Sequence, residues 1–354
     1  MHIDQFLKSM VKENVSDLHF KVGSPPKVRL DGELIPVKYK NLTPEDTQSL
    51  AFSMMDERQK EFFNKKHELD FSYSLSGVAR FRVNVFKQRG AYAIVMRIIP
   101  TEIPTIEQLK LPGIIKKIAL EPRGMILVTG VTGSGKSTTL AAMINFINSI
   151  KKAHIITIED PIEFVYSDNL SSVNQREIGS DTDSFADALR AALRQDPDVI
   201  LVGEMRDTET ISVAIKAAET GHLVFSTLHT TDAKGTVTRI IDTFPPHQQQ
   251  QIRYQLSDNI KGVISQRLLP LKDGKGRIVA AEIMVSTPTI RNCIEEPEKT
   301  GQIKDIIEVG RSQYKSQSFD QHLTELYKNG LITMEVAVEN STNPSDFQRS
   351  LQFD

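Results

Sequence analysis

Four short apolar runs recur through the middle of the chain, at residues 125–129, 154–158, 199–202 and 223–228, and none of them alternates with charged positions. Runs of this kind, rich in Val, Ile and Leu, are the pattern of strands covered on both faces. The segments between them switch to helical spacing. A helix starts in 138–147, residues 185–194 are amphipathic, and Ile211, Ala214, Ile215 and Ala218 follow the i, i+3, i+4, i+7 rule within 208–220. Strand alternating with helix predicts a mostly parallel sheet with helices on both faces.

The first hundred residues carry a different pattern. Short strand-like pieces at 16–20, 27–30 and 33–37 are divided by a Gly-Ser-Pro-Pro stretch and by Asp31-Gly32, a hairpin turn. Thr43 caps a helix that opens on Pro44, and a second helix spans residues 56–66. Strands follow at 69–73, 79–86 and 91–99. In 79–86, Phe81, Val83 and Val85 alternate with Arg80, Arg82 and Asn84, so one face packs and the other is cationic. A small α+β domain over 1–99 is therefore expected, then a linker over 100–112 punctuated by Pro100, Pro104 and Pro112, then an α/β domain over 113–354. Past the sheet, helices are expected at 231–242 and 247–256, a hairpin pairs 266–271 with 277–285, and the pattern from Pro288 onward is helical.

Composition narrows the classes. The 354 residues include 39% hydrophobic residues, enough for two cores, and the formal net charge of −2 gives no global attraction to nucleic acid. One cysteine, Cys293, excludes a disulfide framework and a four-cysteine zinc site. No apolar run reaches the roughly 20 residues of a membrane span, and the N-terminus lacks the basic and apolar regions of a signal peptide, so a cytoplasmic chain without membrane insertion is expected.

The chemistry gathers where the apolar runs end. Gly130-Val131-Thr132-Gly133-Ser134-Gly135-Lys136-Ser137 stands between the first run and the helix that continues through Thr138. The glycines let the backbone turn with no Cβ in the way, so successive amides and a helix N-terminus can wrap a triphosphate. Thr132, Gly133, Ser134, Gly135, Lys136, Ser137 and Thr138 are the candidate ATP-binding residues, with Lys136 between the β- and γ-phosphates and Ser137 offering its hydroxyl to Mg²⁺. The second run ends in Glu159-Asp-Pro-Ile-Glu163; Glu163 or Glu159 would orient or deprotonate the attacking water. The third is followed by Gly203-Glu204, and Glu204 is the candidate partner of Mg²⁺ or its water shell. His222 and His229 bracket the fourth and are candidate γ-phosphate sensors. An isolated arginine on a sheet is ordinarily solvated at an edge or paired with a nearby acid, and nothing in their spacing gives Arg82 or Arg97 another role.

Taken together, the 130–137 loop, the acidic stretch 158–164, the strand with Glu204 in 198–207 and the two-histidine segment 220–230 resemble, in order and spacing, the Walker A, Asp box, Walker B and His box of the secretion ATPases of the type II secretion and type IV pilus superfamily. Within it the chain is similar to the pilus-retraction branch: no long extra N-terminal domain precedes it, and residues 289–296, Thr-Ile-Arg-Asn-Cys-Ile-Glu-Glu, resemble that branch's Ala-Ile-Arg-Asn-Leu-Ile-Arg-Glu, departing at Thr289, Cys293 and Glu295. The resemblance implies a RecA-like ATPase domain behind a PAS-like domain, a homohexameric ring, and coupling to pilin through an inner-membrane platform protein. It also implies that Arg82 and Arg97 reach a neighbouring subunit's site as arginine fingers. The competing readings are an accessory retraction or extension ATPase, a DNA-translocating RecA-like motor, and a regulatory subunit that binds ATP without turnover. The DNA motor's basic stripe or stacking aromatics are not evident in a charge-balanced chain without tryptophan.

Overall fold

The computed structural model describes residues 3–13, 15–30 and 32–353. Its contacts gather the chain into two units, one of Met1–Glu102 with Pro161–Val165 and Gly179–Asp181, the other of Ile103–Asp160, Tyr166–Ile178 and Thr182–Asp354.

The N-terminal unit runs α1 (Ile3–Lys12), β1 (Asp17–Phe20), β2 (Lys27–Leu30), β3 (Glu33–Pro36), α2 (Pro44–Ser53), α3 (Glu57–Lys66), β4 (Glu68–Leu75), β5 (Ala79–Gln88) and β6 (Ala91–Ile99). The six strands form an antiparallel sheet in the order β3-β2-β1-β6-β5-β4. Phe81, Val83 and Val85 are fully buried in one core with Leu50, Ala51 and Phe63 of the helices, while Arg82 on the same strand is exposed. The helix starts follow from their caps: Thr43 accepts the Asp46 amide and Asp46 returns a bond to Thr43, and Asp56 and Gln59 do the same for α3. The hairpin turn expected at Asp31-Gly32 involves Asp31, which lies outside the described residues.

The second unit comprises α4 (Ile114–Ala119), β7 (Gly124–Thr129), α5 (Lys136–Ile150), β8 (His154–Glu159), β9 (Ser172–Glu177), α6 (Phe185–Ala192), β10 (Val199–Val202), α7 (Thr208–Glu219), β11 (Leu223–Leu228), α8 (Ala233–Asp242), α9 (Pro246–Asn259), β12 (Ile260–Pro270) and β13 (Arg277–Val285), and then the C-terminal helices. These are α10 (Pro288–Glu295), α11 (Ile303–Val309), α12 (Arg311–Tyr314), α13 (Phe319–Lys328), α14 (Met334–Glu339) and α15 (Pro344–Phe353), with a 3₁₀ turn at Pro297–Gln302. The sheet order is β13-β12-β7-β11-β10-β8-β9, parallel throughout except for the β12–β13 hairpin. Alternate residues of one strand enter opposite cores: Met125 and Leu127 pack with α7 to α11, Ile126 and Val128 with α4 and α5. A third cluster seats Phe319, Leu323 and Leu326 of α13 on Leu269, Ile278 and Ala280 of the hairpin. This is an α/β fold of the expected kind, with a helical C-terminal segment. The sequence pattern missed α1, α4 and β9, and began β12 six residues too late.

Candidate nucleotide site

Because β7, β11, β10 and β8 are adjacent and parallel, their carboxyl ends share one edge of the sheet. Thr129, Leu228, Val202 and Glu159 therefore lead into four loops on that edge, spaced by about 4.8 Å per strand. In open α/β sheets this is where a ligand crevice forms.

The 130–135 loop leaves β7 and enters α5. Gly130 has φ 144, Gly133 φ 80 and Gly135 φ 91, conformations that side chains rarely adopt. A Cβ at Gly130 would lie 2.5 Å from both the Gln266 carbonyl and Ser134 Oγ, so the tight turn depends on glycine there. Gly135 gives α5 no side-chain cap. The first amides of that helix have no intrahelical acceptor and are available to an anion. Lys136 is buried and folds back over the loop, its Nζ donating to the carbonyls of Gly130 at 2.9 Å and Val131 at 3.1 Å. Ser134 Oγ is buried without a hydrogen-bond partner among the described residues. Such a cradle suits a phosphate group, whose oxygens would accept from Lys136 and the loop. Thr132 and Gly133 are exposed, Ser137 and Thr138 half-buried. The base of the loop is held by β12, through Thr129 Oγ1 to Ser265 Oγ at 2.9 Å and Gln266 Nε2 to Thr139 Oγ1 at 2.7 Å.

Glu204 sits two residues past β10. Its Oε1 receives Arg206 Nε at 2.5 Å and His229 Nε2 at 3.2 Å, and the carboxylate raises the pKa of Arg206. Glu204, Arg206, His229, Thr230 and Arg239 line a cavity of about 430 Å³. Glu159 ends β8 buried, its Oε1 accepting from Thr157 Oγ1 at 2.6 Å and Gln175 Nε2 at 3.1 Å. Among the described residues there is no group of three or more His, Cys, Asp or Glu arranged to hold a metal. The Ser137 hydroxyl and the Glu204 carboxylate are hard oxygen donors, the set suited to Mg²⁺ that arrives on phosphates and keeps most of its waters.

The structure does not bring every candidate to this edge. His222 precedes β11, and its carbonyl accepts the amide of Gly124, the first residue of β7. It thus stands at the amino end of the sheet, about 20 Å from the cradle at 3.3 Å per residue. Its Nδ1 is bonded to the Ala217 carbonyl at 2.9 Å and approaches Thr220 Oγ1 at 3.2 Å, the environment of a histidine that closes a helix end. Within one chain, then, His229 is at the phosphate edge and His222 is not. Glu163 is exposed and lies within Pro161–Val165, which groups with the N-terminal unit.

Arg82 and Arg97 are directly paired on β5 and β6. Arg97 Nε donates to Asp17 Oδ1 at 2.8 Å, and Arg82 Nε lies 3.7 Å from Asp70 Oδ1. Burial works to raise the Asp17 pKa, but Arg97, Ser16 and Arg29 outweigh it and hold the carboxyl below its ordinary value. Arg97 keeps 70% of its side chain exposed even so. Sequence reasoning missed Arg206, Arg239 and Gln175. Arg206 was findable from its place two residues after Glu204. Gln175 was not, because its strand has one apolar residue in six.

A glycine loop between a buried strand and a helix, with carboxylates delivered by parallel neighbours, defines a P-loop nucleotide-binding domain. The pattern of the family described as Type II/IV secretion system protein matches residues 1–274, and the chain belongs to that family. It is 47% identical over 347 residues to the type IV pilus retractation ATPase PilT of Pseudomonas aeruginosa, covering 98% of this chain and 100% of that one. It is 49% identical over 318 residues to a twitching motility protein of Neisseria gonorrhoeae, covering 90% and 84%. A crystal structure of the pilus retraction motor PilT with bound ADP aligns with a TM-score of 0.90 at 50% identity, over 99% of both chains.

Proposed function

We propose that this chain is an ATPase that powers type IV pilus retraction and hence twitching motility. The observation that carries the proposal is the shared sheet edge, where the 130–135 cradle, Glu204, His229 and Glu159 emerge together, in a chain similar along 99% of its length to a retraction motor solved with ADP.

ATP binds through residues 132–138. Lys136 turns from the loop carbonyls to the β- and γ-phosphates, and Ser137 with Glu204 would hold Mg²⁺ or its waters. The metal, when bound, neutralises charge on the phosphoryl oxygens. Glu163, with Glu159 as the second candidate, orients the water. His229 keeps Glu204 aimed and senses the γ-phosphate. Charge on the transferred phosphoryl oxygens grows toward the transition state, so guanidinium groups reaching in from a second copy would make turnover depend on the neighbour. Arg82 and Arg97 fill that role in a homohexameric ring, and the 100–112 segment is the hinge through which closure becomes displacement. The ring works in the cytoplasm against an inner-membrane platform protein, and so on pilin indirectly; among the described residues no helix is long and apolar enough to cross a membrane.

Deleting the gene tests the direction of force. Surplus pili with lost twitching support retraction; bald cells would assign the chain to extension.

A further inference from the structure

A second cavity, of about 930 Å³, opens in the ATPase unit between residues 110–114 and the helices α12 and α13. Its chemistry is lopsided. Lys110, Arg311 and Lys315 line it, and the one carboxylate among the described lining residues, Glu325, is already committed to Arg311 at 2.9 Å. His322 also lines it and is 4% exposed. The amide of Ala281 donates to its Nδ1 at 2.9 Å, so the ring carries its proton on Nε2 and offers a neutral donor. Burial and the Arg311 guanidinium hold this imidazole uncharged, its pKa down to about 4. The remaining wall is mixed, with Leu111, Ile114 and Leu326 beside the uncharged polar Ser312, Gln317 and Asn329.

Three cations against one carboxylate, a fixed neutral donor at a buried position and an otherwise uncharged wall match a molecule with a multiply charged anionic head and an uncharged organic body. A single carboxylate would leave cations unanswered, whereas a phosphate monoester presents about two charges and three acceptor oxygens. The volume lies in the range of small-molecule sites. We propose that this cavity binds a small organic phosphate, separate from the nucleotide cradle. Because residues 110–114 lead through α4 into β7, an occupant would tie the entrance of the cradle's own strand to the C-terminal helices.

Pyridoxal 5′-phosphate is a suitable probe. Its aldehyde condenses with a lysine amine, releasing water, and borohydride reduces the imine to a stable secondary amine. The full chain is labelled with ADP and Mg²⁺ present to shield Lys136, and the labelled lysines are mapped by peptide mass spectrometry. Lys110 or Lys315 is expected to label about tenfold above other exposed lysines, with the preference falling about tenfold in Arg311→Gln and disappearing for pyridoxal, which lacks the phosphate. Even labelling across the surface overturns the proposal, as does a preference that pyridoxal reproduces or that survives Arg311→Gln. Arg311 is partly exposed, so that variant should fold; Lys315→Gln, read by displacement of the probe's absorbance with inorganic phosphate, provides an independent measure. Strong labelling of Lys136 despite ADP would count against the nucleotide reading and leave the cavity result intact.

Discussion

The two sheets place their polar chemistry by opposite rules. In the antiparallel N-terminal sheet, helices bury one face and leave the other wet, so β5 reads Phe81, Val83, Val85 inward and Arg82 outward, and charged groups stand along the strands. At the centre of the parallel sheet both faces are buried; β7, β10 and β11 are buried at every position and carry no charged residue, so charge appears there only where these strands end. A surface arginine on the first sheet is free to meet something outside the unit. A carboxylate at the edge of the second is confined to a crevice. This difference explains why one sheet supplies candidate fingers and the other the cradle.

Substitutions at the two kinds of position should separate accordingly. The largest effect is expected from Lys136→Ala, which should lower phosphate release by about a thousandfold or more and abolish ADP binding in a titration. Arg82→Ala should cost about a thousandfold in turnover while changing the unfolding free energy by less than about 1 kcal/mol, since its ion pair with Asp70 is long and half exposed. Unchanged turnover would return Arg82 to the solvated face. Mixing Arg82→Ala with Lys136→Ala subunits should restore some activity, and no rescue at any ratio would reject donation between copies. Glu204→Ala should reduce turnover by about a hundredfold and shift its Mg²⁺ dependence; hydrolysis at the parental rate would refute the metal assignment.

A smaller effect sharpens the view of the buried sheet through pH. Burial pushes the Glu282 carboxyl on β13 up to about 7 from 4.5, so the native chain keeps a proton there that the unfolded chain has lost, and stability falls as pH rises through that window. His322, driven down to about 4 from 6.5, has the opposite slope: its contribution is lost as pH falls from 6.5 toward 4. The two nearly cancel between 4.5 and 6.5. Glu282→Gln should break the balance, gaining about 3 kcal/mol over the parent above pH 7 and losing about as much on acidification, measured by urea unfolding across pH.

Much of this architecture was legible because periodicity records burial. The uninterrupted runs became the central parallel strands, and the alternation at 79–86 became β5. What escaped has physical reasons. β9 is a polar edge strand whose place comes from pairing with β8, which no local pattern announces. α1 was readable, since Ile3, Phe6, Leu7, Met10 and Val11 repeat at helical spacing and join the first core. His222 and His229 look alike in a linear chain. Only the direction of a six-residue strand separates them, and a strand carries its two ends to opposite edges. That Arg97 could pair with an acid was readable, but the acid, Asp17, is 80 residues away and only the pairing of β1 with β6 brings it near.

The amide of Ala233, at the start of α8, is held at 2.8 Å by Glu282 from β13. The neighbouring Ala281 is clasped in turn by His322 through its amide and by Gln317 through its carbonyl. A tether thus runs from the tail of the chain, across the hairpin, to a point four residues beyond His229. Two adjacent residues of one strand, Ala281 and Glu282, join the start of α13 to the start of the helix that follows His229.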